Sequence, residues 1–255
     1  MILTDTHTHL YVEQFDLDRD AMISRALNAG ISRFFVPAID STYTSAMHQL
    51  KSNHPEHVHL MMGLHPTHVK DNYQLELEHV KTQLEEHDFV AVGEIGIDLY
   101  WDKSTLNAQQ DAFIYQIQLA KMHNLPIVIH CREAFDEIFD ILEDEATEDL
   151  RGIFHCFTGN LTQAQQAISY NMTLGIGGVV TFKNGRIDQF LNQIPIEHIV
   201  LETDAPYLSP TPFRGKRNES AYLTHVLDKV AEIYGLDQNT VAEITTENSK
   251  SIFNI

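Results

Sequence analysis

Thiols are nearly missing from this chain. Cys131 and Cys156 are its only cysteines, too few for the disulfide framework on which small secreted domains rely. Long apolar runs are missing too: none approaches the roughly 18 residues that mark a membrane helix. The first residues carry no basic segment followed by an apolar stretch, and Asp5 breaks what apolar start there is, so no signal peptide is expected. A cytoplasmic protein with buried free thiols fits these absences. Positive charge is scarce, with 17 Lys and Arg against 36 Asp and Glu and a formal charge of −19. So acidic a surface excludes broad adhesion to nucleic acid or anionic membrane. A local cationic site remains open, because bound divalent ions add charge that this count omits. No low-complexity tract or Gly/Ser-rich linker divides residues 1–255, which read as one domain, and no stable protein partner is inferred.

Apolar material is plentiful, 43% of the 255 residues. It comes as short β-branched runs alternating with longer amphipathic segments. The runs "MILTD", "ISRFFVP", "HVHLMMG", "DFVAVGE", "LPIVIH", "RGIFH", "MTLGIG" and "EHIVLET" read as strands. Between them, "DLDRDAMISRALNAG" reads as a helix closed by Gly30, and "STLNAQQDAFIYQIQLAKMHN" as another, followed by Pro126. Eight strand–helix units in about 250 residues predict a single α/β domain of the (β/α)8 TIM-barrel type. A doubly wound open sheet is the alternative. Residues 206–218, "PYLSPTPFRGKRN", form the one long Pro-rich loop, and loops of that kind usually carry function.

In a barrel, functional groups gather at the C-terminal ends of the strands. "TDTHTHL" places His7 and His9 two positions apart after the first run. In extended chain, residues i and i+2 face the same way, roughly 6.5–7 Å apart, so two imidazoles can converge on one cation. Alone, the pair is equally well two polar residues on a strand. Its partners carry the argument: Glu94 ends "DFVAVGE", His130 ends "LPIVIH", His155 ends "RGIFH", and Asp204 follows "IVLET". Strands one, four, five, six and eight thus each present a metal-capable residue at the same end. Four imidazoles and two carboxylates exceed what one tetrahedral ion needs and suit two divalent ions bridged by a carboxylate. Metal ligands are therefore expected at His7, His9, Glu94, His130, His155 and Asp204. Asp204 can also take a proton from the attacking water, which makes Asp204 and Glu94 the catalytic candidates for a hydrolysis.

At these residues the sequence resembles the TatD family of metal-dependent deoxyribonucleases, within the amidohydrolase superfamily. The likeness runs through "DTHTHL", "GLHP", "GEIGID", "IHCREA", "HCFTG" and "LETDAPYLSPTPFRGKRNES". It implies a TIM barrel, the six ligands just named, and Mg2+-dependent cleavage of phosphodiester bonds in DNA, often from an end. The ions themselves, Mg2+, Mn2+ or Zn2+, stay open. Where many members of that family have Ser after the fifth-strand His, and His or Tyr before "RGKRNE", this chain has Cys131 and Phe213.

Three further residues are candidate substrate contacts. His65, in "GLHP", either meets substrate or caps a turn. Arg132 either grips a phosphate through its guanidinium fork or braces a ligand carboxylate. Arg214, with Lys216 and Arg217, forms a basic cluster in the Pro-rich loop, suited to phosphate or to ion pairs. Asp98 is placed to orient a ligand or an Arg from behind. Histidines 48, 54, 57, 59, 79, 87, 123, 198 and 225 read as structural or surface residues, and the two thiols as facing the helices. The leading function is a phosphodiesterase acting on DNA, the alternative an amidohydrolase-type enzyme opening small esters or amides. Many of the latter bridge their metals through a modified Lys on the fourth strand, where this chain has Glu94.

Overall fold

The structure, a computed structural model, describes residues 2–255. Eight parallel strands pair in sequence order: β1 Leu3–Asp5, β2 Ile31–Pro37, β3 Val58–Met62, β4 Ala91–Asp98, β5 Ile127–Arg132, β6 Gly152–Phe154, β7 Met172–Ile176 and β8 Ile199–Leu201. Each overlaps a predicted run, though β4 continues four residues past Glu94 and β5 two past His130. The seam between β8 and β1 closes through Thr6 N–H to Leu201 O, Asp204 N–H to His7 O and His9 N–H to Ala205 O, at 3.1, 2.9 and 2.8 Å. The result is a TIM barrel.

Helices α1 Arg19–Asn28, α2 Thr44–Asn53, α3 Tyr73–Glu86, α4 Leu106–His123, α5 Phe135–Glu145 and α6 Leu161–Ser169 follow β1 to β6 in turn, and α7 Leu223–Tyr234 and α8 Gln238–Phe253 both follow β8. The alternation breaks once, after β7, where four 3-10 turns between Gly178 and His198 replace an α-helix. Gly178, Gly185 and Pro195 interrupt that stretch, and glycine and proline disfavour a continuous helix.

Two cores result. Along β5, Ile127 and Ile129 pack toward the helices, while Val128 faces the barrel interior with Phe35, Met61, Ala91, Ile153 and Val200. Ile252 and Phe253 at the end of α8 plug the bottom of that interior, Phe253 stacked on Phe35 at 3.9 Å. The inward positions set the site, because side chains alternate. Val128 inside puts His130 inside at the top; Ile153 does the same for His155, and Val200 for Glu202 and Asp204.

Candidate active site

Glu94 reaches the mouth by a departure from alternation. The β4–β5 register runs Gly93 opposite Val128 and then Ile95 opposite Ile129, leaving Glu94 as an extra residue. Such a bulge re-aims a side chain that strict alternation would turn outward. Gly96, with φ +140° and no room for a Cβ (it would lie 2.1 Å from His130 O), lets the strand recover.

Around Glu94 the sequence candidates converge in a cavity of about 570 Å3. Its Oε2 lies 3.0 Å from His7 Nε2 and 3.5 Å from His9 Nε2. Its Oε1 lies 2.7 Å from His130 Nδ1 and 3.0 Å from His155 Nε2. Asp204 Oδ1 stands 3.5 Å from His9 Nε2 and 3.9 Å from His7 Nε2. His7 and His9 themselves lie just beyond β1, in chain pinned by Thr8 N–H to Phe35 O at 3.0 Å. All six expected ligands meet here, and one carboxylate divides the imidazoles into two groups.

The outward nitrogens decide what the inward ones can do. Tyr11 donates its hydroxyl proton to Pro37 O at 2.8 Å, so it accepts from His9 Nδ1–H at 3.2 Å, and His9 Nε2 is left as a lone pair. Asp98 Oδ2 takes the Nε2 side of His130 at 2.9 Å, and Glu202 Oε1 the Nδ1 side of His155 at 3.2 Å. Both aim the opposite nitrogen at Glu94, as carboxylates behind metal-bound histidines do. His7 Nδ1 is buried and unpartnered. Nitrogen lone pairs pressed against carboxylate oxygens repel unless positive charge lies between them, so this donor set fits divalent cations.

The electrostatics of the cluster carry the same need for positive charge. Burial opposes charge on Glu94, yet the surrounding histidines hold it ionised well below the usual range. Burial likewise opposes charge on His155, but Glu94 and Glu202 lift it well above its ordinary value. At His130 the hydrogen bonds to Asp98 and Glu94 outweigh burial and raise it. At His7, burial and the charge of His155 win over Glu94 and lower it. Protons and metal ions compete for the same nitrogens.

His65 takes the turn-capping reading. Its Nδ1 accepts from Thr67 N–H at 3.1 Å, so the ring is neutral with its proton on Nε2, 3.1 Å from Glu94 Oε1. In that tautomer it is a donor toward Glu94. Arg132 borders the cavity with its guanidinium 3.7 Å over the Tyr100 ring. Arg214 instead lies 3.5 Å over Phe182 and donates to Ser209 O at 3.1 Å, and it is not among the cavity residues. Arg217 pairs with Asp18 at 2.7 Å. Cys131 packs against the helix-side core and burial pushes its thiol up to about 12. Cys156, expected to turn to the helices, is half-buried and borders the cavity, as Cys131 also does, its backbone N–H donating to Glu202 at 2.7 Å.

Sequence reasoning missed three residues. Glu202 is fully buried, and a Cβ on Gly175 would lie 2.3 Å from its Oε2. Its signal was the two-residue spacing from Asp204. Asp40 and His68 form a 2.6 Å pair beside His65, with His68 bordering the cavity. No single run of sequence joins them.

Comparison with known proteins gives the family. Residues 4–254 match the family described as TatD related DNase. A Bacillus subtilis protein named an uncharacterized metal-dependent hydrolase, YabD, is 40% identical, covering 100% of both chains. An Escherichia fergusonii protein named 3'-5' ssDNA/RNA exonuclease TatD is 32% identical, covering 98% of each. Among solved structures, YjjV, a TatD homolog from Escherichia coli, superposes with a TM-score of 0.94 at 28% identity, over 99% of this chain and 98% of that one.

Proposed function

Because this chain belongs to the TatD family of metal-dependent hydrolases, we propose that it cleaves phosphodiester bonds of single-stranded DNA through a site holding two divalent ions. The observation that carries the reading is Glu94, whose Oε2 faces His7 and His9 while its Oε1 faces His130 and His155, with His65 beside them. His7, His9, Glu94 and Asp204 would hold one ion, and Glu94, His130 and His155 the other. So placed, the ions would acidify a water, polarise a phosphoryl oxygen and offset charge on the leaving oxygen.

The chain's own groups complete the reaction. Asp204, held ionised by His9 and the other imidazoles against the effect of burial, accepts the proton of the attacking water at a carboxylate oxygen. His65 Nε2–H donates toward a phosphoryl oxygen that comes within its reach. Asp98 and Glu202 keep His130 and His155 turned inward. Arg132 offers the cavity's unpaired guanidinium for a phosphate. The relatives named as ssDNA/RNA exonucleases support attack from a strand end. Two half-buried free thiols suit a reducing compartment such as the cytoplasm.

The test is direct. Purified chain, stripped of metal and then supplied with Mg2+, Mn2+ or Zn2+, is assayed on labelled single-stranded DNA, RNA and a panel of small esters and amides. Metal-dependent release of nucleotides from DNA is expected. Turnover confined to the small esters or amides would replace this reading with the amidohydrolase alternative.

A further inference from the structure

Large apolar side chains are exposed at scattered points of the surface, but of the three aromatic ones among the described residues, Trp101 and Tyr207 border the cavity and Tyr100 adjoins Trp101. Trp101 is 69% exposed and Tyr100 50%, although an indole gains more from burial than almost any other side chain. The two rings meet edge to face with centroids 5.0 Å apart. Arg132 lies flat on Tyr100 at 3.7 Å and reaches to 5.6 Å from Trp101. Its neighbour Glu133 pairs with Lys103, 3.8 Å away, rather than with this guanidinium.

The patch is built, not loose. Asp98 Oδ1 accepts from Tyr100 N–H at 3.0 Å and from Trp101 N–H at 3.1 Å, while Oδ2 of the same carboxylate holds His130. The aromatic pair and a metal ligand thus hang from one buried side chain at a fixed separation. An apolar face beside an unpaired cation matches a molecule with a flat π-system and an anion in one unit. A nucleotide is that molecule.

We infer that Trp101 and Tyr100, with Arg132 laid across Tyr100, are a stacking platform for a nucleobase of the strand being cut. Arg132 meets the phosphate attached to that base. The inference rests on the nuclease reading and narrows it: recognition is of an unpaired base, through its π-face, tolerant of sequence. In duplex DNA the bases are stacked on one another and cannot reach the platform.

Trp101 is the only tryptophan, so its fluorescence reports the contact without any chemistry. The metal-loaded protein is titrated with a phosphorothioate-linked oligothymidylate and with an abasic strand of equal length and charge. Saturable quenching by the first and none by the second is expected. In turnover of normal oligonucleotide, Trp101→Ala should raise KM by about 10–100-fold, the size of a lost base stack, with kcat little changed, and Trp101→Phe should recover most of the loss. Equal quenching by the abasic strand, or an unchanged KM in Trp101→Ala on a strand that is cleaved, overturns the platform. If no oligonucleotide is cleaved but thymidylate alone quenches, the nuclease reading falls and the platform stands.

Discussion

His130 shows how far a single side chain's role depends on what stands behind it. With Asp98 on its Nε2 at 2.9 Å, its Nδ1 can face only Glu94. Asp98→Asn should therefore weaken metal affinity at this half of the site by about 10–100-fold, the usual cost of losing such a partner; calorimetric titration with Mn2+ measures it, and unchanged affinity refutes it. Asp204→Asn separates ligation from base catalysis. Asn keeps one oxygen donor but is no base, so metal content should survive while turnover falls by about 10²–10⁴-fold. Full activity at full occupancy would remove Asp204 from proton transfer. The six converging residues were legible in the sequence because each lies at or just past the end of an apolar run, and barrels collect chemistry at strand ends. Asp40 and His68 were not, since they meet only when the loops after β2 and β3 fold beside each other.

Among elements, β4 carries the most information. Its apolar run predicted a strand, but the bulge that turns Glu94 inward is invisible in composition, because one extra residue changes facing without changing hydropathy. Gly96 tolerates the bulge. Gly96→Ala would drive a Cβ to 2.1 Å from His130 O at φ +140°, a backbone conformation essentially reserved for glycine. Loss of soluble protein, or a fall in stability of several kcal/mol, is expected in denaturant unfolding; a variant within about 0.5 kcal/mol of wild type would show that β4 can relax. All eight strands were legible because β-branched runs bounded by polar turns have few other readings. The helix missing after β7 was foreshadowed only by Gly178, Gly185 and Pro195, which signal a break without saying what fills it.

Over the whole molecule, charge works against the proposed substrate. With a net charge of −19, binding cannot draw on a broad basic face, and few counterions are released from DNA. The logarithm of kcat/KM against that of salt concentration should have a shallow slope. A slope as steep as about −5, typical of proteins making half a dozen phosphate contacts, would contradict this. One source of acid sensitivity outside the cavity lies at the barrel bottom. His59 is stacked on Phe35 with Nε2 buried and unpartnered. Burial, with Lys51, Arg33 and His57 nearby, pushes its pKa down from 6.5 to about 4. The unfolded chain therefore takes up that proton first, so this contribution to stability is whole above about pH 6.5 and is lost as pH falls toward 4. His59→Phe should flatten the decline of melting temperature across that window, and an unaltered decline would move the cause elsewhere.

The plug at the bottom of the barrel has a consequence for how the protein is made. Phe35 on the second strand waits for Phe253, 218 positions further along the chain. On the ribosome, the earlier strands must remain without their closing partner until residue 253 has cleared the exit tunnel. Packing of the barrel interior thus waits for the last helix, α8, and a nascent chain stalled before that point would offer its open barrel to chaperones.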